Sequence, residues 1–171
     1  DISRDGDLVT IVSPDSAGTF SQVAGVVSLH GLDVLGARAY SDEQGMAASQ
    51  FRVVETSTGE IKWRTLKNDL RKGLNRQLAI EARLDERAKT YRRRRKLQAD
   101  TPGPPKVKFI EGGSSNATLI EIRAVSKIGI LHRITQALDD MGLDIRHATV
   151  HTIGIEVVDT FYVRTRAGAL V

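Results

Sequence analysis

At 171 residues the chain has room for one ordinary domain or two small ones, and 40% hydrophobic with 27% charged residues is a globular composition. No apolar run approaches the roughly 20 residues that span a bilayer, and the absence of cysteine excludes a disulfide framework, a thiolate metal site and a cysteine nucleophile. The net charge of +4 suggests nucleic acid, but Lys/Arg side chains outnumber Asp85 and Glu86 between residues 83 and 96 so heavily that this one segment carries all of the excess.

The opening residues, Asp1 to Gly6, have neither a basic patch nor an apolar h-region, so no secretion signal is read and a cytoplasmic location is expected. With no initiator Met, a piece of a longer protein is expected. Asp7 to Ser13 alternates like a strand and runs through a Gly-containing loop into a helical pattern, Phe20, Val23 and Val27. Gly31 suits the left-handed position that ends a helix. Two strands follow, Leu32 to Ser41 and Met46 to Glu55, joined by Asp-Glu-Gln-Gly. Leu66, Leu70, Leu74 and Leu78, spaced by four, predict one extended basic helix over about 64–98, which Thr-Pro-Gly-Pro-Pro at 101–105 ends. Lys106 to Glu111 reads as a short strand.

From there the pattern returns. Leu8 to Asp33 lies on Leu119 to Asp144 without a gap: Gly18 and Gly129, and Gly31 and Gly142, share the same offset of 111. The second copy has a strand at Thr118 to Val125, a helix marked by Leu131, Ile134, Leu138 and Met141, and strands at Leu143 to Thr152 and Ile155 to Thr165. Asp159 interrupts the apolar row Ile155, Val157, Phe161, Val163, with no role evident from the sequence.

Strand, helix, strand, strand, helix, strand is the ferredoxin-like order. The expected fold is therefore α+β, two ferredoxin-like (βαββαβ) domains. The first is assigned 1–111 with 106–111 as its last strand. The second is assigned 112–171, truncated after its third strand and leaving part of a sheet face bare.

The loops entering the first helix of each copy, Pro14 to Phe20 and Ser126 to Leu131, are the candidate sites. A helix N-terminus presents unpaired N–H groups and partial positive charge, a glycine admits a ligand close to the backbone, and Asp15 offers a partner for an ammonium. The simpler expectation is that Asp15 or Ser16 merely caps its helix.

Those loops, with Gly-Leu-Asp and the hairpin that follows, resemble the Asp-x-x-Gly-x-Leu opening of ACT domains, which bind amino acids in metabolic enzymes. The second copy is the closer match, through Gly129-Ile130-Leu131-His132-Arg133-Ile134, Met141-Gly142-Leu143-Asp144-Ile145 and Val158-Asp159-Thr160-Phe161-Tyr162-Val163. Two copies joined by a basic helix and Pro-Pro-Lys-Val-Lys-Phe-Ile-Glu resemble the C-terminal tandem of bacterial PII uridylyltransferases, bifunctional uridylyltransferase/uridylyl-removing enzymes.

The resemblance implies a regulatory, glutamine-sensing module controlling nitrogen assimilation, not itself an enzyme. It also implies upstream nucleotidyltransferase and hydrolase domains that use a divalent metal (Mg), the PII signalling protein as their substrate, and pairing of ACT domains, within a chain or in a homodimer. No cofactor is implied for this segment. Carried over by position, the expected ligand-binding residues are Asp15, Ala17, Gly18 and Thr19 from the first loop, Ser126, Gly129, Ile130 and Leu131 from the second, and Asp33 and Asp144 after the helix stops. Ser126 stands where the motif has aspartate, and a serine cannot supply the charge that pairs with an ammonium.

The rival reading is a ligand-free docking or dimerisation module of another ACT-containing metabolic enzyme, working through the basic run Arg92 to Arg95 against an acidic surface. Nucleic acid is disfavoured, since the chain lacks stacking aromatics and the Lys/Arg-Gly-Phe/Tyr signature. A stand-alone enzyme is disfavoured too, as no phosphate loop, His-Glu-x-x-His or Gly-x-Ser-x-Gly occurs. His147 and His151, about 13 Å apart on a strand, cannot share a metal. His30 and His132 are expected at a helix end and a helix surface.

Overall fold

The computed structural model describes residues 1–55, 61–94 and 103–171, with side chains through Thr90 in the second stretch. In chain order it has β1 (Ile2–Asp5), β2 (Leu8–Pro14), α1 (Thr19–Leu29), β3 (Leu32–Ser41), β4 (Met46–Glu55), α2 (Trp63–Leu74) and α3 (Ile80–Arg94). The second half follows as β5 (Lys106–Ile110), β6 (Thr118–Val125), α4 (Ile130–Asp140), β7 (Leu143–Ile153) and β8 (Glu156–Thr165). The strands form one antiparallel eight-stranded sheet in the order β1-β2-β4-β3-β7-β8-β6-β5. This is a palindrome: each half contributes four strands in the same order, and the halves meet where β3 pairs with β7.

That seam is centred on a two-fold relation. Ala37 pairs with Ala148, Gly36 with Thr149 and Arg38 with His147, so counterparts in the repeat oppose one another. Both strands bulge at matching places, between Val34 and Gly36 and between Ile145 and His147, which kinks each strand and turns the extra residue out of the ladder. The helices obey the same symmetry. Ser21 Oγ lies 3.2 Å from Gln136 Oε1, while the His132 ring packs where Gly25 leaves room. Close to the axis, His132 Nδ1 lies 2.6 Å from the Ser21 carbonyl, so this nitrogen carries the proton. His132 is buried, not the surface residue its sequence position suggested.

The alternation of apolar residues along the strands supplies a continuous core: Val9, Ile11, Phe51 and Val53 in the first half, Ile120, Ile145, Phe161 and Val163 in the second. Val23, Val26 and Val27 of α1 and Leu138 of α4 close it from above. Phe20 meets Phe51 edge to face, with ring centroids 5.1 Å apart, a favoured aromatic geometry.

Two features differ from the sequence expectation. The strand at 106–110 does not close the first half. It pairs with β6 at the far edge of the sheet, so the position beside β6 is filled, and the matching place beside β2 is taken by β1, a strand the sequence reading did not predict. Each half thus takes its edge strand from the residues just before it, the shortest connection available.

The single helix expected over about 64–98 is two helices. It breaks after Leu74, where Asn75 caps α2 and Arg76 adopts a left-handed φ of 58°. The break lets Leu66 and Leu70 bury against the first half while α3 crosses toward the second, with Arg87 donating to the Leu29 carbonyl (3.0 Å) and Arg133 of α4 to Asp85 (2.7 Å). The basic run from Arg92 to Lys96 lies outside the described side chains.

No helix matching α2 covers the second half among the described residues. Val107 and Phe109, directly opposite Ile122 and Ile120 and therefore on the helix-bearing face, remain exposed. Ile2, opposite Ile11 in the first half, is buried.

Candidate ligand-binding site

The chain leaves β2 at Pro14 and turns into α1 through Gly18, whose φ of 78° is the left-handed conformation that glycine adopts without strain. No side chain caps α1. Asp15 and Ser16 therefore do not perform the capping role expected of them: Ser16 Oγ meets the Thr19 hydroxyl at 3.1 Å instead, and the Asp15 carboxylate is exposed with no hydrogen-bond or ionic partner among the described residues. The first-turn N–H groups of a helix have no intrahelical acceptors, and here they border a cavity of about 250 Å³ lined by Thr19, Phe20 and Ser21.

The cavity lies between the halves. Asp15, Ala17 and Gly18 form one wall, and the β4 residues Ala47 and Ser49 line it from the sheet. The opposite wall comes from the second half: Thr135 and Asp139 of α4, Leu143 to Arg146 at the start of β7, and Arg166 beyond β8. Arg146 is the bulged residue of β7, and the kink there accounts for its presence in the wall. Its guanidinium donates to Asp144 (3.0 Å) and Ser41 (3.2 Å). Arg166 donates to the Asp139 carboxylate (3.0 Å) and carbonyl (3.1 Å). At the rim Arg76 donates to the Ala17 carbonyl (2.7 Å).

The site thus alternates charge: one unpaired carboxylate, two arginines each holding an aspartate, and a helix N-terminus. Such a lining suits a small zwitterion, whose carboxylate and ammonium could each exchange into an existing pair. Among the described residues no His/Asp/Glu cluster could hold a metal, and no helix is long and apolar enough to cross a membrane.

Of the ten residues expected at the ligand, Asp15, Ala17, Gly18, Thr19 and Asp144 come together here. Ser126, Gly129, Ile130, Leu131 and Asp33 do not. Asp33 is exposed at the start of β3, and the second loop is closed from above: Leu84 of α3 packs against Gly129, its Cδ1 only 3.1 Å from where a Cβ would stand. Arg146, Arg166, Asp139 and Ser49 escaped the sequence reading because they come from strand positions and from the opposite half. The available signal was the contrast at the bulge, leucine at 35 against arginine at 146.

A ferredoxin-like repeat with its cavity at the strand-to-helix glycine of one copy and the strand start of the other defines a tandem of ACT folds. Residues 118–169 match the ACT domain family, and that half of the chain belongs to it. Over 169 residues, 95% of its length, the chain is 37% identical to the bifunctional uridylyltransferase/uridylyl-removing enzyme of Streptomyces coelicolor, spanning 20% of that protein. It is 32% identical to the enzyme of the same name from Rhodospirillum rubrum and 30% to that of Azospirillum brasilense, covering 91% of the chain and 17% of the relative in each case. The chain therefore spans about a fifth or less of these curated relatives.

Proposed function

We propose that this tandem is the amino-acid-sensing region of a PII uridylyltransferase/uridylyl-removing enzyme, and that glutamine binds in the cavity between its halves. The observation that carries the reading is the cavity's position and lining. A ligand there touches both ACT folds, with α1's open N-terminus and the arginines for its carboxylate and Asp15 for its ammonium. The volume of about 250 Å³ lies just below the ~300–1,000 Å³ typical of drug-sized sites, a scale suited to a single amino acid. The relatives' names supply the activities to be regulated, which would reside in nucleotidyltransferase and hydrolase domains outside this segment, using Mg and acting on PII.

Regulation requires the ligand to prefer one arrangement of the halves over another. A site whose walls come from both halves, joined by a short seam, provides such a preference. Homodimerisation through further ACT pairing belongs to the same proposal.

The test is thermal unfolding with amino acids at millimolar concentration. Glutamine should raise the melting temperature, and Asp15→Ala should weaken the effect far more than Ser126→Ala, since only Asp15 lines the cavity. An unchanged melting temperature with glutamine and every other common amino acid would overturn the proposal.

A further inference from the structure

Asp159 is fully buried, and neither of its carboxylate oxygens has a hydrogen-bond partner. It shares the helix-facing side of β8 with Val157, Phe161 and Val163, all buried. Burial pushes its carboxyl up to about 7, with the backbone of nearby His151 pulling only modestly the other way. Buried polar groups are nearly always partnered, and an orphan of this kind calls for an explanation.

The repeat supplies one. Ile11 pairs with Ser49, and its counterpart Ile122 pairs with Asp159. Ser49 lines the cavity beneath Gly18, so Asp159 occupies the same position beneath Gly129. At the mouth the halves differ. Gly18 has the Arg76 guanidinium and Asp139 beside it, whereas Gly129 has the buried side chain of Leu84. The second nook thus holds an anionic floor, a left-handed glycine at a helix start with no side-chain cap, and an apolar plug delivered by α3. The plug is held from outside the nook by Arg87 to the Leu29 carbonyl and Arg133 to Asp85.

We propose that the nook beneath Gly129 is a second, latent site for a small ammonium-bearing ligand, with Asp159 as the countercharge and Leu84 of α3 as a plug that must withdraw for the ligand to enter. The ammonium would provide the donors that the carboxylate lacks. Withdrawal of α3 would also release its contacts with α1 and α4, so occupancy of this nook would report along the helix that leads into the basic segment. The choice of an amino acid as ligand rests on the reading of the first cavity; the existence of the nook does not.

The experiment is a calorimetric titration of this chain with L-glutamine, with N-acetyl-L-glutamine as the control that lacks an ammonium. Wild type should take up one equivalent. Leu84→Ala should take up a second, and Leu84→Ala with Asp159→Asn should lose the second while keeping the first. The pair Arg87→Ala and Arg133→Ala loosens α3 without touching the core and should also admit a second, weaker equivalent if Leu84→Ala fails to fold. N-acetyl-L-glutamine should not fill the second site in any variant. Stoichiometry fixed at one in every folded variant, or a second equivalent that survives Asp159→Asn or accepts the acetylated control, would overturn the latent site. No binding in wild type with an Asp159-dependent equivalent in the plug variants would instead overturn the reading of the first cavity and leave this one standing.

Discussion

Ala37 and Ala148 face each other across the β3–β7 seam, and each is the other's counterpart in the repeat. Both are buried, so the axis relating the halves passes through two methyl groups. Nothing larger is accommodated where two copies of one strand meet under two copies of one helix.

Ala148→Leu should therefore destabilise the chain by about 1–3 kcal/mol through overpacking. Urea unfolding measures this directly. An unchanged midpoint would mean that the seam is looser than described.

Gly18→Ala combines two penalties. A φ of 78° costs an L-residue roughly 1–2 kcal/mol, and the new Cβ would stand 2.6 Å from Arg76 Nη2 and 3.1 Å from Asp139 Oδ2. Gly142→Ala, at φ 76° with nothing within 4 Å, carries the strain alone. The expected order is a greater loss of stability at 18 than at 142, with Arg76→Ala removing part of the difference. Equal losses would show that the rim is not crowded.

Arg166→Ala should weaken glutamine binding about tenfold or more, the scale of one charge-assisted hydrogen bond. Arg166→Lys should restore little, since an ammonium lacks the planar fork that grips a carboxylate at two points. Titration of both variants against wild type checks this. A ligand-binding constant insensitive to either change would remove Arg166 from the site.

Asp159 makes stability depend on pH in a definite direction. An unfolded aspartate titrates near 3.9, whereas the native one titrates at about 7. Between these values the unfolded chain has released a proton that the native chain retains. Native stability is therefore full below about pH 4, declines as pH rises, and levels off above about 7. Three pH units correspond to an upper bound of about 4 kcal/mol. Asp159→Asn should gain on wild type steadily between pH 5 and 7 in urea unfolding. Parallel stability curves for the two proteins would count against a carboxyl raised by burial.

Much of the architecture was legible because a repeat exposes itself twice. The offset joining Gly18 to Gly129 and Gly31 to Gly142 located both helices and the strands around them. The places of β1 and β5 were not legible: Lys106 to Ile110 has no feature that distinguishes closing the half before it from opening the half after it. Leu66 through Leu78 at spacing of four masked the break at Arg76, because apolar periodicity records which face is buried and not whether the backbone turns between one leucine and the next. Half of the expected site residues fell outside the cavity for a related reason. Symmetry in sequence predicted two equal loops, while α3, a helix present only once among the described elements, fills the second. Asp15 was weighed as a cap, but the left-handed glycine at the start of α1 places the carboxylate too far from the first turn to serve as one.

The borrowing of each edge strand from the preceding residues has a consequence for assembly. Apart from the three register pairs at β3 and β7, every strand pairing joins residues of the same half. The first 55 residues can complete all their own ladders before the rest leaves the ribosome, and the later half can do the same without reaching back. Contacts that span little sequence form quickly, and the junction, with so few bonds of its own, is the natural last step on the way in and the first to yield on the way out.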